Sequence, residues 1–430
     1  MSRRILFITK PYSRKDIYRH LPKKSGFIPT VIFPATILKI GVQRYIELIT
    51  QGKLKFDGIV ATSDLSSIIG GIISSETGLI FSDLKSLILC QNKYHCRRIQ
   101  EKETPQIVPK YSLASDPVSL YNLNFPAFVK PLRGHLSMFS YKVNSPSEAR
   151  EKYLIHKKDL AKLNQDYQKL LLPKLSHNQP KIYEIKVDDM ICEDYLEGDQ
   201  LTVDLSVFRG QIIILGTTQS VYHPEYASFT RFEHPNTHSR KVEQMIKTPL
   251  YKLISKLKLN NTLLNIELKY DKHQEKIYII EINTRMSFQF VNLIKAVSGI
   301  NLIKIASEIA TNQRPSFRKI HTQNSLCYSM VLRKQGNMLV TKTPSPENIR
   351  QIYARFPEIK ITILVKKNQR LSEIDQDTQS YRYCLIDIPG NSKHEILSKF
   401  NKIDSMLDFN FKHVQQKTPL NKHLLQKVRV

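Results

Sequence analysis

Two short strand patterns in the middle of the chain constrain it most. Leu263-Leu264-Asn265-Ile266-Glu267-Leu268-Lys269-Tyr270 and Ile277-Tyr278-Ile279-Ile280-Glu281-Ile282-Asn283 flank a polar stretch and read as the arms of a β-hairpin. With a loop over residues 272–276, the register sets Glu267 opposite Glu281 and Asn265 opposite Asn283. Period-2 alternation then puts all four on one face. Opposed carboxylates, with Cβ atoms about 5 Å apart, repel each other. A divalent cation removes that cost, and two carboxylates with an amide carbonyl suit magnesium, which also takes phosphate oxygens. Arg285, two residues further on, can hold a carboxylate or phosphate oxygen through its guanidinium fork. The competing reading is a surface ladder, in which a one-residue slip or a pair between Lys269 and a glutamate sends one acid to solvent.

The chain around this hairpin has 430 residues, of which 41% are hydrophobic, enough for about two to four domains with buried cores. Its formal net charge is +27, which excludes a charge-compensated surface. Such an excess is either a lysine-rich solvated surface or a field that concentrates polyanions. The five cysteines, Cys90, Cys96, Cys192, Cys327 and Cys384, are scattered without a CxxC spacing, so neither a disulfide framework nor a cysteine zinc site is indicated. A reducing cytoplasmic setting fits. The apolar run near the N-terminus, residues 5–8, is too short for a signal peptide core. The most apolar stretch, residues 59–81, is broken by Asp64, Glu76 and serines and reads as core, not as a membrane span. No nucleic-acid reader motif is present, which disfavours that partner.

Short apolar runs at residues 4–9, 30–33 and 58–61, each followed by a helical pattern, indicate a small parallel α/β domain. Lys10-Pro11-Tyr12-Ser13 stands where a dinucleotide-binding domain has its glycine-rich turn, so that activity is disfavoured. Helical patterns follow at residues 84–103, 146–175, 242–257 and 394–400, with strands over 181–216 and 263–283. The resulting plan is α/β and α+β multidomain. An N-terminal parallel domain covers 1–105, a two-lobed domain 106–318 with lobes at about 106–190 and 191–318, and a small α+β module with a basic tail 319–430. No fixed-period repeat is evident.

Three further segments occur in order with the hairpin: Asn92-Lys93-Tyr94, Phe128-Val129-Lys130-Pro131 with the loop Leu132-Arg133-Gly134-His135-Leu136-Ser137, and Glu193-Asp194-Tyr195-Leu196-Glu197-Gly198. In this order and spacing, over residues 5–318, the chain resembles the ATP-grasp superfamily, nearest its biotin-carboxylase-like and carboxylate–amine ligase branch. The resemblance implies that Lys93 and Lys130 hold ATP phosphates, that Ser137 is a further cofactor-binding residue, that Glu193 and the backbone near Leu196 form the adenine hinge, and that Gln200 meets the ribose. It implies Mg2+ (or Mn2+) on Glu267, Glu281 and Asn283, with Arg285 and Lys130 serving the reaction and Arg231 contacting substrate. The implied reaction joins a small-molecule carboxylate to an amine, or to a thiol, through an acyl phosphate, releasing ADP and phosphate. A homodimer is compatible with this. The alternatives are a phosphotransferase on the same fold, or a basic polyanion-binding protein with a degenerate nucleotide site. The sequence departs from the family pattern in the glycine-poor loop after Lys130, in Gln200 where relatives place Glu, and in Asp194 where they place a hinge lysine. The stretch Met286-Ser287-Phe288 also lacks the usual glycine pair. Arg231 lies in a run, residues 229–235, that together with Tyr222-His223-Pro224 lies between hinge and hairpin. A polar aromatic cluster at residues 377–383 reads as an exposed strand.

Overall fold

The computed structural model describes residues 2–134, 138–175, 187–223, 228–317, 322–374 and 380–413. The loop at 176–180, the tail beyond 413, Pro224 and residues 377–379 lie outside them. The apolar runs at the N-terminus become β1 (Arg3–Ile8), β2 (Phe27–Ile32) and β3 (Gly58–Ala61), which pair in parallel in the order β2-β1-β3. Helix Asp64–Thr77 follows β3. Ser63 caps it by accepting from the Ser66 amide, and Gly78 ends it in a left-handed turn. Its Ile68, Ile69, Ile72 and Ile73 pack on Leu6, Ile8 and Ile59, so the 59–81 stretch is core. Among the described residues no single helix is long and apolar enough to cross a membrane.

The helical pattern at 84–103 is two helices, Leu84–Gln91 and Lys93–Glu103, because Asn92 adopts an extended backbone and caps the second by accepting from the His95 amide. The pattern at 146–175 likewise divides at Asn164 into Pro146–Leu163 and Gln165–Leu175. The helices read at 242–257 and 394–400 extend over Ser239–Lys256 and Lys393–Met406.

Next comes an antiparallel sheet of β4 (Tyr111–Leu113), β5 (Ala127–Pro131), β6 (Tyr141–Val143) and β7 (Met190–Asp194), in the order β4-β7-β5-β6. Ala127, Val129, Met190 and Cys192 enter its core, which turns Lys130 and Glu193 to the opposite face. β8 (Asp199–Phe208), β9 (Gln211–Tyr222), β10 (Phe229–His234), β11 (Thr262–Asp271) and β12 (Lys276–Asn283) follow, with β11 between β12 and β8. Ile266, Leu268, Ile277, Ile279 and Ile282 pack against Val242, Ile246, Leu250 and Leu253 of helix Ser239–Lys256.

The chain divides into two compact units, residues 1–219 with 234–322, and residues 220–233 with 323–430. In the second, β13 (Leu326–Gln335) and β16 (Ser380–Gly390) pair antiparallel, β15 (Lys360–Ile363) adds to β16, and β14 (Met338–Lys342) pairs with β17 (Asn410–His413). Its core joins Met330, Ile386 and Ile388 to Ile352 and Ile396 of its helices.

Gly198 links β7 to β8 with φ of 97°, and a Cβ there would lie 2.3 Å from the Tyr270 carbonyl oxygen. A side chain is therefore refused both by the left-handed backbone and by a rigid neighbour. Gly52, at φ 71°, has nothing within 4 Å of the same position. Gly198→Ala should lower the thermal unfolding midpoint by several degrees more than Gly52→Ala, measured side by side by calorimetry.

Candidate active site

The hairpin register places Asn265 opposite Asn283 and Glu267 opposite Glu281. The reason differs from the one read in the sequence. Near the turn the pairs are Asp271 with Lys276 and Leu268 with Ile279, so the loop is one residue shorter than expected, and Ile280 is an extra residue bulged out of β12. The bulge has two effects. It lets Ile277, Ile279 and Ile282 all enter the core while Glu281 and Asn283 stay on the other face; strict alternation would have put Glu281 on the same face as Ile277 and Ile279. It also turns the Ile280 carbonyl out of the ladder, where it accepts from Arg97 Nη2 (3.0 Å) and Lys130 Nζ (3.5 Å).

Glu267 is half-buried, accepts from Gln200 Nε2 (3.0 Å) and from Asn283 Nδ2 (3.3 Å), and faces Glu281. Burial first, and then the Glu281 charge, push its pKa up against the pull of Arg285 and Lys93. Glu281 is paired with Lys93 Nζ at 2.9 Å. Arg285 directs Nε at Asp64 Oδ1 (3.2 Å) and Nη2 at Asn283 Oδ1 (3.0 Å). Burial works against its charge, but Asp64, Glu267 and Glu281 outweigh burial and keep it cationic.

Lys93 is the first residue of its helix, where unsatisfied amides favour anions, and its own amide donates to the Leu132 carbonyl just past β5 (3.0 Å). Lys130 leaves β5 diagonally opposite Glu193 and meets its Oε2 at 2.7 Å; Arg97 Nε holds the other oxygen at 2.6 Å. Burial raises the Glu193 pKa, but the two cations more than reverse this and hold it at about 2, while burial lowers that of Lys130. Each lysine that the resemblance assigns to phosphate is thus neutralised here by a carboxylate that it assigns to metal or adenine. Gln200, assigned to ribose, donates to Glu267. Leu196 is half-buried in the β7–β8 connection. Ser137 lies outside the described residues. Arg231 belongs to the second unit, where it is paired with Glu233 at 2.6 Å. Burial pushes the Cys192 thiol up to about 12, which suits a core residue and not a nucleophile.

Four residues at this centre escaped the sequence reading. Arg97 lies one helical turn after Lys93, an i, i+4 signal that was there to be used. Asp64 comes from the first turn of helix Asp64–Thr77, far away in sequence, with no local signal. The Ile280 carbonyl depends on the bulge. Asp204 lies on β8 opposite Asn265, accepts from its Nδ2 (2.9 Å), and leaves Oδ2 buried without a partner; an acid in an apolar strand was its signal. Burial raises its pKa to about 7 despite Asn265 and Arg285.

Among the described residues no three His, Cys, Asp or Glu side chains form a metal-holding group. Two opposed carboxylates with one amide are instead the donor set of a cation that completes its shell with phosphate oxygens and water, and they fit magnesium in that form.

A small parallel α/β domain followed by two sheets that bring lysines and carboxylates to one centre is the architecture of the ATP-grasp class of proteins. Residues 123–290 match the family described as the ATP-grasp domain. No curated protein matches the sequence. The fold is similar to that of an L-amino acid ligase from Bacillus licheniformis (TM-score 0.73, 15% identity, 96% of this chain and 99% of the other covered). It is also similar to the biotin carboxylase domain of a Hydrogenobacter thermophilus 2-oxoglutarate carboxylase, solved with MgADP and bicarbonate (0.71, 11%, 96% and 91%). A third similar structure is phosphoribosylglycinamide synthetase from Anaerococcus prevotii (0.64, 15%, 96% and 100%).

Two pH effects follow. Glu193 has its folded pKa below the ordinary 4.5, so its contribution to stability is present above that pH and is lost as pH falls toward about 2. Arg97→Met removes one of its two cations and should move the acid-unfolding midpoint to higher pH. Asp204 has its folded pKa raised from 3.8 to about 7, so the native state is favoured by protonation at low pH, and that advantage disappears as pH rises through 7, on the order of 4 kcal/mol at full ionisation. Asp204→Asn should be more thermostable than the wild type at pH 8, with the gain vanishing near pH 4, as followed by thermal melts across that range.

Proposed function

We propose that the chain is an ATP-dependent ligase that joins a small-molecule carboxylate to an amine through an acyl phosphate, releasing ADP and phosphate. The observation that carries this reading is the opposition of Glu267 and Glu281 on one face, with Asn283 and, two residues on, Arg285 beside them and Lys93 and Lys130 converging from two other segments. Glu267, Glu281 and Asn283 would hold magnesium, which when bound neutralises phosphate charge. Lys93 and Lys130 exchange their carboxylate partners for phosphate oxygens when ATP enters, so binding trades one charge-assisted contact for another. That exchange holds the γ-phosphorus in line with an attacking carboxylate oxygen, and position more than proton transfer supplies the rate. Arg285 orients that carboxylate and then the acyl phosphate, whose C–O bond to phosphate breaks as the amine forms the new C–N bond. Release of Glu193 from Lys130 frees an acceptor for the adenine amino group beside the hinge backbone near Leu196, while Gln200 lies next to the ribose. Five reduced, buried cysteines are in keeping with a cytoplasmic enzyme.

The test is coupled ADP release over a panel of acids and amines with Mg-ATP. ADP and phosphate should form only with both substrates, and Glu281→Gln should lower kcat by about a hundredfold or more with little change in thermal midpoint. AMP release would contradict the mechanism, and a stable phosphorylated product formed without an amine would make the chain a phosphotransferase.

A further inference from the structure

The proposed reaction ends on an amine, and none of the residues assigned above receives it. Leu201, Val203, Leu205 and Val207 of β8 enter the core beside helix Ser239–Lys256, which turns Thr202, Asp204 and Ser206 to the opposite face. There Thr202 pairs with Glu267, and Asp204 pairs with Asn265, which itself pairs with Asn283. Asp204, Asn265 and Asn283 thus form one row across three adjacent strands, and Arg285 Nη2 donates to its far end at Asn283 Oδ1. Asn265 Nδ2 holds Asp204 Oδ1 at 2.9 Å, which fixes the carboxyl group. Among the described residues, Asp204 Oδ2 and Ser206 Oγ are both buried without a hydrogen-bond partner. Buried polar atoms are nearly always satisfied, so two open ones side by side on the face of the centre point to a group that arrives later. Residues two apart on a strand lie roughly 7 Å from each other. One nitrogen bridges that span with two hydrogen bonds when either side chain leans inward.

Both open atoms accept hydrogen bonds, and an ammonium brings three donors. We propose that Asp204, with Ser206 beside it, receives the ammonium of the amine substrate and takes the proton that the nitrogen must lose before it attacks. This rests on the ligase reading and adds the residue that serves its second half. One proton passes from nitrogen to Asp204 Oδ2, and the freed lone pair forms the C–N bond to the acyl carbon. The C–O bond to phosphate breaks with its electron pair staying on phosphate, the second nitrogen proton leaves with that phosphate, and Asp204 afterwards gives its proton to water. The other acids at the centre are engaged elsewhere: Glu267 and Glu281 face each other at the proposed metal site, Glu193 is held by Arg97 and Lys130, and Asp64 meets Arg285. The charge that acts on Asp204 is Arg285, while its one contact, Asn265, is neutral. Burial raises the Asp204 pKa to about 7, where a carboxyl group both takes and returns a proton. Asp204 is 2% exposed, so bulk water does not compete for the open oxygen.

The test uses hydroxylamine, a nucleophile that is uncharged at neutral pH and needs no base before it attacks. With Mg-ATP and an acid that supports ADP release, wild type and Asp204→Asn are compared at neutral pH for amide formation with the amine substrate, and for hydroxamate formation with hydroxylamine in its place. Asp204→Asn should lower kcat for the amide about a hundredfold, the usual worth of a general base, while the hydroxamate rate stays close to that of the wild type. Ser206→Ala should raise KM for the amine more than it lowers kcat. Thermal midpoints measured alongside separate these effects from unfolding, since Asp204→Asn is not expected to lose stability. Equal loss of amide and hydroxamate in Asp204→Asn would reduce Asp204 to a support for Asn265 and overturn the proposal. An unchanged amide rate in that variant would overturn it too, and in both cases wild-type hydroxamate would leave the ligase reading standing. The absence of acid-dependent hydroxamate in the wild type would remove the ligase reading itself, and this proposal with it.

Discussion

Glu267 and Glu281 lie side by side because one residue, Ile280, drops out of the ladder between them and the hairpin turn. At about 5 Å, and an effective dielectric of about 20, two such charges repel by about 3 kcal/mol. The surroundings answer that repulsion from several directions: Lys93 on Glu281, Gln200 and Asn283 on Glu267, and Arg285 near both. The cationic half of the centre is arranged around the same hairpin, since the carbonyl released by the bulge is shared by Arg97 and Lys130. Removing the bulge would therefore disturb acids and bases together.

Most contacts at the centre are between opposite charges: Lys93 with Glu281, Lys130 and Arg97 with Glu193, and Arg285 with Asp64. Buried ion pairs are costly to form and costly to break by halves, so the loss of one partner leaves a buried charge uncompensated; under the proposed function a phosphate chain would take the place of the carboxylates on the two lysines. The backbone bond from Lys93 to Leu132, just past the strand that carries Lys130, ties the two lysine-bearing segments together. Asp204 and Asp64 stand apart from this exchange. The first is held next to Asn265 at an electrostatic cost, and the second faces Arg285 from the first turn of helix Asp64–Thr77.

Local pattern was enough for a good part of this. Alternating β-formers gave the hairpin arms, the three parallel strands at the N-terminus and the strand that delivers Lys130. Motif order pointed to the superfamily, and the match over residues 123–290 agrees. Helix ends were less legible where a single asparagine, Asn92 or Asn164, interrupts an otherwise continuous pattern, because side-chain capping competes with helix continuation over only one or two residues.

The sequence by itself determined which side chains are available and which strands carry them, because apolar periodicity and residue chemistry are local properties of the chain. The tertiary structure decided their partners. Whether Glu281 faces the core or the centre depends on a bulge set by packing of Ile277, Ile279 and Ile282 against a helix. That Arg97 reaches Glu193, and that Asp64 reaches Arg285, depends on segments separated by 96 and 221 residues. Coulombic pairing acts through space and is blind to such separation, so no window of sequence contains it.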